Sequence, residues 1–555
     1  LTGAIQVGLD DSFFALGGDS ITSMRLVSRA RQAGIVVSVR NVFAHPTVAA
    51  LAQVAQALPT TAITIAAPAP GMVPLTPIEQ QFLSAGGPLN RFHQAIAVEA
   101  PLGMKPAQVQ AALQQLLAHH DALRLKVVHP VAPTESMCFW LEAQAPSPVA
   151  FAVLELAHLS PEAREATINA ALSELPGQLD PEQGRMVAGV WIERGAGERA
   201  LLFLAIHHLV VDGVSWRILL EDLDHLTAGR ALPARTHSVR DWAQYLVQEA
   251  QSTQRQAQMA IWREVVQGAV PLPCEGVVQA SENVIGATER YESVLPAKNL
   301  EQLLTATTVY RTGIDDLLLT ALGLALYSWR AQFAGHWDEA RLGPLLIDLE
   351  GHGREAEASE LDLTRTVGWF TSVYPVRLDF EGLDVEAALD GGAPAGLALR
   401  LIKEELRRTT DRGLGYGMLR WLNPQTSQEL ASLAQAQIAF NYLGRFERGD
   451  GQQAGWKLSE NVLVGGQDDP QRRRFHILEV NAAIDSTGAL AISWGYHPQA
   501  HSLAAIADLA TRFNRALLAL ARHCHELPLT QKLTPSDLPL AKQAGLDQAL
   551  LDQLA

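Results

Sequence analysis

Residues 201–216 read LLFLAIHHLVVDGVSW. Leu201 to Ile206 form an unbroken apolar run, which predicts a buried strand. From Trp216 to Leu226 apolar residues recur at helical spacing, which predicts a helix. His207, His208, Asp212 and Gly213 therefore sit on a tight loop between a core strand and a helix. Loops held by rigid elements are where catalytic groups are usually placed. A solvent-reachable imidazole there moves protons near neutral pH. Three readings fit this stretch alone: a hydrogen-bonded turn without chemistry, an acid–base site, or half of a metal site. The last needs further ligands. The sequence shows no other His/Cys cluster with metal spacing, so no metal is expected.

The same logic applies further along. Asp315 to Phe333 (DDLLLTALGLALYSWRAQF) is apolar nearly all round and predicts a buried helix. Pro344 to Leu349 predicts a short buried strand. It delivers Glu350-Gly351-His352-Gly353-Arg354-Glu355, a second Gly-punctuated loop carrying charge. RTVGWFTSVYPVRL at 365–378 reads as a strand kinked at Gly368. DRGLGYGML at 411–419 reads as a flexible or closely packed loop; without GK[ST] it is not a phosphate loop. IAFNYLGRF at 438–446 is a strand, as are 476–484 and 490–496. A terminal helix follows over 502–523. Before the central loop, helices are predicted from Pro77 and over 107–119, and strands at 94–99, 122–128, 151–156 and 187–192. After it come helices at 238–249 and 254–266. Alternating strands and helices make the class α/β, in two halves of similar size.

Composition narrows the function. The chain has 555 residues, 48% hydrophobic and 18% charged, ordinary for a globular protein of several domains. Its formal net charge of −16 argues against nucleic acid, whose phosphates need a basic face. No uncharged apolar run reaches the roughly eighteen residues of a membrane span. Cys138, Cys274 and Cys524 lie in unrelated contexts; neither a disulfide framework nor a zinc site is expected, and a cytoplasmic location fits. The chain begins at Leu1 without Met or signal-peptide pattern and reads as a piece of something longer.

Residues 9–20 read LDDSFFALGGDS, followed by a helical pattern from Ile21 to Ala33. Ser20 falls where the helix begins. It is either an N-cap or a hydroxyl placed to carry a phosphate at a helix N-terminus. Residues 55–74, AQALPTTAITIAAPAPGMVP, carry no charge and are rich in Ala, Pro and Thr, which predicts a semi-extended linker.

LDDSFFALGGDSI, with NVFAHPTVAALA at 41–52, resembles the peptidyl carrier domains of nonribosomal peptide synthetases. The resemblance implies a small all-α helical bundle, with 4′-phosphopantetheine attached to Ser20 and introduced by a phosphopantetheinyl transferase. Asp19 resembles the GGDS form of carriers that precede epimerization domains. Carriers usually begin with a helix ahead of this motif; only Leu1 to Val7 precede it here, so that helix is expected to be absent from the stretch.

PLTPIEQQF, HHLVVDGVSW, DDLLLTALG, EGHGRE, RTVGWFTSVYP, RGLGYG and FNYLGRF, in that order, resemble the epimerization domain of the same synthetases. HHxxxDG is shared with condensation domains; EGHGRE, RTVGWFT and FNYLG together are specific. The resemblance implies two chloramphenicol-acetyltransferase-like lobes in a V, in the condensation-domain superfamily. The expected layout is a carrier at 1–54, a linker at 55–73 and an epimerization domain at 74–525. Its N-lobe would span about 74–268 and its C-lobe about 285–525, with a C-terminal linker or docking segment at 526–555. Expected partners are the carrier-bound substrate, an upstream adenylation domain and a downstream condensation domain.

Inverting an α-carbon requires removing its proton from one face and returning one to the other, and a thioester helps by delocalising charge as an enolate. Two proton-transfer groups on opposite faces suit that task. His208 and Glu350, from opposite halves, fit it, and burial would raise the pKa of Glu350. The resemblance makes His208 the catalytic histidine and His207 structural. It makes Asp212 a structural ion-pair former, for which Arg354 is the predicted partner. Tyr442 and Asn441 are placed to hydrogen-bond the enolate oxygen or position the thioester. The alternatives are a condensation domain forming a peptide bond, against which EGHGRE and FNYLGRF count, and an inactive docking module, against which the intact His208, Glu350 and Tyr442 count.

Overall fold

The computed structural model describes residues 7–13, 16, 18, 20–57, 65–130, 137–143, 148–195, 197–331, 343–354, 361–408, 411–445, 455–459, 468–526, 532–538 and 545–554. Asp19 and Glu355 lie outside them.

The N-terminal domain holds helices Ser20–Gln32, Val39–Ala44 and Val48–Val54. Ser38 and Thr47 cap the last two. Val27, Val37 and Val42 form its small core, with Phe13, Leu26 and Leu51 against them. A short antiparallel pair, β1 (Ile35–Val36) and β2 (Gln56–Ala57), closes it. The linker is thus narrower than expected at both ends. Residues 56–57 belong to the first domain, and Gly71–Val73 already form β3 of the second.

The N-lobe continues with β4 (His93–Glu99), β5 (Leu125–Val128), β6 (Cys138–Leu141), β7 (Ala150–Glu155), β8 (Val187–Glu193) and β9 (Leu201–His207). β9 is buried along its whole length, as its apolar run predicts, because layers cover both faces of its sheet. Helices Pro106–His119 and Gly213–Thr227 pack on one face, enclosing Trp191, Leu202 and Leu219. Helix Pro161–Glu174 covers the other, over Phe203 and Ile192. The strand expected at 122–128 begins only at Leu125. Asp121–Arg124 form a 3-10 turn, in which Arg124 donates to the carbonyls of Leu117 (2.6 Å) and Ala118 (2.8 Å) at the end of the preceding helix. The helix expected over 254–266 divides into Thr253–Ala257 and Met259–Val266.

The C-lobe is built on β10 (Glu289–Leu295), β11 (Leu345–Gly351), β12 (Ser372–Leu378), β13 (Ile438–Arg445), β15 (Leu478–Ile484) and β16 (Leu490–Tyr496), while β14 (Lys457–Leu458) leaves it for the other lobe. The C-lobe order is β10-β16-β15-β13-β11-β12, with β11, β13 and β15 parallel. Helix Ile314–Ala331 is buried from Asp316 to Trp329, matching its all-round apolar pattern. It packs with Ala297–Tyr310 and Leu503–Glu526 over the sheet.

Two features join the lobes. β14 adds to the N-lobe sheet beside β4, giving the order β14-β4-β9-β8-β7. A seam of Trp242, Leu246 and Ala250 from the N-lobe packs against Leu363, Phe370, Leu414 and Met418 from the C-lobe. The 411–419 segment is correspondingly ordered: a short helix, Leu414–Gly417, runs into a π-turn, Met418–Leu422. Only Ser372–Leu378 of the strand expected at 365–378 forms. The C-terminal segment also lies on the C-lobe. Lys403, fully buried, donates to Asp537 (2.5 Å) and to the Tyr310 carbonyl (2.7 Å), and Arg400 pairs with Asp552 (2.9 Å).

Candidate active site

β9 ends at His207, and His208–Val210 form a 3-10 turn before Asp212 caps helix Gly213–Thr227 by accepting from the Ser215 amide (2.7 Å). His207 is fully buried and used on both sides. Its Nε2 meets the Leu89 carbonyl at 2.8 Å, and its Nδ1 accepts from the Leu209 amide at 3.3 Å. A carbonyl only accepts, so Nε2 carries the proton. Burial pushes its pKa down to about 3. These are the properties of a structural histidine.

His208 is half-buried in an aromatic wall. Phe92 stacks on it at 4.7 Å and Trp369, from the C-lobe, lies at 4.8 Å. Desolvation is the largest influence on the ring and pushes its pKa down to about 4, against the opposing charge of Asp212. At neutral pH the imidazole is therefore uncharged.

Gln94 supplies a contact that sequence reasoning missed. Trp216 Nε1 donates to Gln94 Oε1 at 2.9 Å. Indole N–H is donor-only, so the Gln94 amide nitrogen must face His208 Nε2, 2.9 Å away. Gln94 donates and Nε2 accepts through its lone pair. The lone pair that would take a proton is thus held ready, with a donor already on it. In the sequence Gln94 reads only as one polar position of an alternating strand; the pairing of β4 with β9, His93 opposite His207, brings it beside the loop. Replacing Gln94 by Ala removes a bond that favours the neutral ring, so the His208 titration should move upward, measured by NMR of the ring protons.

The second loop leaves the end of β11. Glu350 is exposed to solvent, with protein packed around its carboxyl. Desolvation raises its pKa; the charge of His476 opposes this and Glu479 adds to it. Parallel pairing of Leu349 with Phe440 sets β13 alongside, and Asn441 donates to Glu350 Oε2 at 3.0 Å. Tyr442, the next residue, alternates to the opposite face, where its ring is half-buried against the C-lobe core.

Arg354 reaches across to Asp212. Its Nη2 lies 3.0 Å from both carboxylate oxygens and 3.1 Å from Ser215 Oγ, and its Nη1 donates to the carbonyls of Leu363 (3.1 Å) and Thr366 (2.7 Å). The guanidinium also lies over the Phe370 ring at 3.9 Å. This pair ties the loop carrying His208 to the loop carrying Glu350. Gly353 makes the turn possible. Its φ is +60°, and a Cβ there would meet the Phe370 carbonyl oxygen at 1.6 Å. Gly353→Ala should therefore destabilise the chain by about 3 kcal/mol or more, read from chemical unfolding.

The structure also gathers His119, His120 and Asp222, whose ligand atoms lie within 4.8 Å of one another. This cluster is not legible in the sequence because Asp222 is distant in the chain. Asp222 bonds His120 at 2.9 Å and is also ion-paired with Arg365 from the C-lobe. With that cation already in place, we read the group as a buried strut between the lobes.

Ser20 opens helix Ser20–Gln32. A Cβ at Gly18 would lie 2.3 Å from a ring carbon of Phe13, so a glycine there lets the loop close up to the helix start. A serine at that point suits a phosphate-linked arm.

Comparison with known proteins places these features. The Condensation domain model matches residues 70–538, and the Phosphopantetheine attachment site model matches residues 2–55. Surfactin synthase subunit 1 of Bacillus subtilis (strain 168) is 33% identical over 100% of this chain and 15% of its own length. Tyrocidine synthase 2 of Brevibacillus parabrevis is 33% identical over 97% of this chain and 14% of its own. The chain thus spans a small fraction of these relatives. The epimerization domain from the third module of tyrocidine synthetase B is 32% identical, with a TM-score of 0.69 over 82% of this chain and 98% of that one. A condensation domain from Monacolin K polyketide synthase, 16% identical with a TM-score of 0.62 over 81% of this chain and 97% of that one, shares the fold. By the extent of these matches, the chain belongs to the condensation-domain family of nonribosomal peptide synthetases, with a phosphopantetheine carrier domain ahead of it.

Proposed function

We propose that the large domain epimerizes the α-carbon of an aminoacyl or peptidyl group held on Ser20, converting the L-isomer to the D-isomer. The observation that carries this is the Arg354–Asp212 bridge that ties the loop of an uncharged His208 in one lobe to the loop of Glu350, a carboxyl of raised pKa, in the other. The 32% identity to an epimerization domain supports it. When attached, the pantetheine arm supplies a thioester tether, which makes the α-proton more acidic.

His208 takes or gives the proton at Nε2 on one face, and Glu350 does so through its carboxyl on the other; the two exchange tasks in the reverse direction. Approach of the α-proton displaces the Gln94 amide from Nε2. Asn441 orients Glu350. The core-side position of Tyr442 makes it a support for that strand, so Tyr442→Phe should cost less rate than Asn441→Ala. Phe92 and Trp369 exclude water from the imidazole. Arg31 of the carrier pairs with Asp362 at 2.6 Å, beside the Arg354-anchored loop, which suits delivery of a load from that side. The partners are an upstream adenylation domain, a phosphopantetheinyl transferase that modifies Ser20, and a downstream condensation domain. As thiols, Cys138, Cys274 and Cys524 suit a reducing cytoplasm.

Because the reaction is reversible, chains loaded separately with the L- and D-aminoacyl group should converge on one L/D ratio by chiral analysis of the released acid. A domain that only condenses would leave each load as it was. The limb of the pH–rate profile that belongs to His208 should lie near pH 4, where the ring takes up a proton and ceases to be a base.

A further inference from the structure

β11 carries a second carboxylate on the face of Glu350. Asp348 lies two residues earlier, and strand alternation points both the same way. His476, just ahead of β15, places its Nε2 2.8 Å from Asp348 Oδ2, with the two side chains 11% and 17% exposed. A carboxylate only accepts, so the ring N–H donates to it. Asn441 on the intervening β13 holds Glu350 at 3.0 Å. Asp348, Glu350, Asn441 and His476 therefore form one polar strip across β11, β13 and the entry to β15. The reaction outlined above uses Glu350 and Asn441 and leaves the other two without a task.

We propose that the Asp348–His476 pair is a positioning unit that holds a positive charge beside Glu350 and so sets how readily Glu350 gives and takes a proton. The proposal rests on the reading of Glu350 as an acid–base group. Burial by itself pushes the His476 imidazole down, but the hydrogen bond and charge of Asp348, with the charge of Glu479, outweigh it and its pKa is raised. The resulting imidazolium opposes the desolvation of Glu350, while Glu479 acts the other way. Other charges face this strip. Arg474 is bonded to Glu479 at 3.0 Å and opposes the charge on His476. Tyr416, from the helix at 414–417, feels Asp348. Arg412 and Arg354 act on His352 at the loop beyond Glu350. Of these charged groups, Asp348 alone is bonded to the His476 ring nitrogen Nε2.

The test is a titration of the full chain carrying ¹³C-labelled glutamate carboxyls, with the Glu350 signal assigned by its loss in Glu350→Gln. His476→Gln keeps a donor for Asp348 and removes the charge. The Glu350 midpoint should then move up by about one pH unit, and the limb of the exchange-rate profile that belongs to Glu350 should move with it. An unmoved Glu350 midpoint in folded His476→Gln overturns the proposal. A moved midpoint with an unmoved rate profile supports the coupling and overturns the acid–base role of Glu350 instead. Should His476→Gln fail to fold, the wild-type chain decides. His476 should titrate above the ordinary 6.5, and a midpoint below it overturns the proposal.

Discussion

Replacing His208 by alanine should cut α-proton exchange on the loaded carrier by on the order of 10²-fold or more while the chain stays folded. The size of the loss follows from the state of the ring. Desolvation holds its pKa at about 4, so nearly every molecule at neutral pH has the base form ready. His207 is committed to the Leu89 carbonyl and the Leu209 amide. Gln94 is a donor at that position and takes no proton. Glu350→Gln should give a loss of the same order, because an amide orients like a carboxyl but neither gives nor takes a proton. Stopped-flow or quenched assays that start separately from each isomer would show both losses.

Arg354→Ala is expected to cost about 3–5 kcal/mol of stability by urea unfolding of the full chain. The side chains of Arg354 and Asp212 are only 2% and 8% exposed. Removing the guanidinium leaves the Asp212 carboxylate buried, with the Ser215 and Phe370 amides as its remaining donors. The carbonyls of Leu363 and Thr366 also lose their donor. Replacing both partners together by apolar residues of similar size should cost much less than Arg354→Ala, since no charge is then stranded. A double-mutant cycle measures that difference. Activity should suffer in both cases, because this pair fixes the His208 loop against the Glu350 loop.

Much of this is legible in the sequence where the signal is local. The apolar run at 201–206 specifies β9, and the all-round apolar pattern at 315–333 specifies the central helix of the C-lobe. Glu350 and Arg354 stand out because charge seldom follows a buried strand within a Gly-punctuated loop without purpose. Local signals fail where distant groups decide the structure. RTVGWF reads as strand, yet Ser215 Oγ holds Gly368 through both its amide (3.1 Å) and its carbonyl (2.9 Å), so hydrogen bonds from the other lobe replace a ladder. β10, ERYESVL, escapes the pattern because it is an edge strand with mostly polar, outward positions. The glycines at 411–419 suggest looseness, but they serve close approach: a Cβ at Gly417 would lie 2.9 Å from Pro77. Gln94, Asp348 and His476 need the strand register, which no spacing rule supplies.

The most direct test of the central claim is deuterium wash-in at the α-carbon. Ser20 is loaded with an L-aminoacyl-pantetheine arm, the full chain is incubated in D₂O, and the released acid is analysed for mass and chirality. A panel of side chains and one dipeptidyl load are included. The account predicts that D-isomer accumulates with one deuterium at the α-carbon, and that neither appears in His208→Ala. An L-configured load that gains no deuterium across the panel, the dipeptide included, would contradict it.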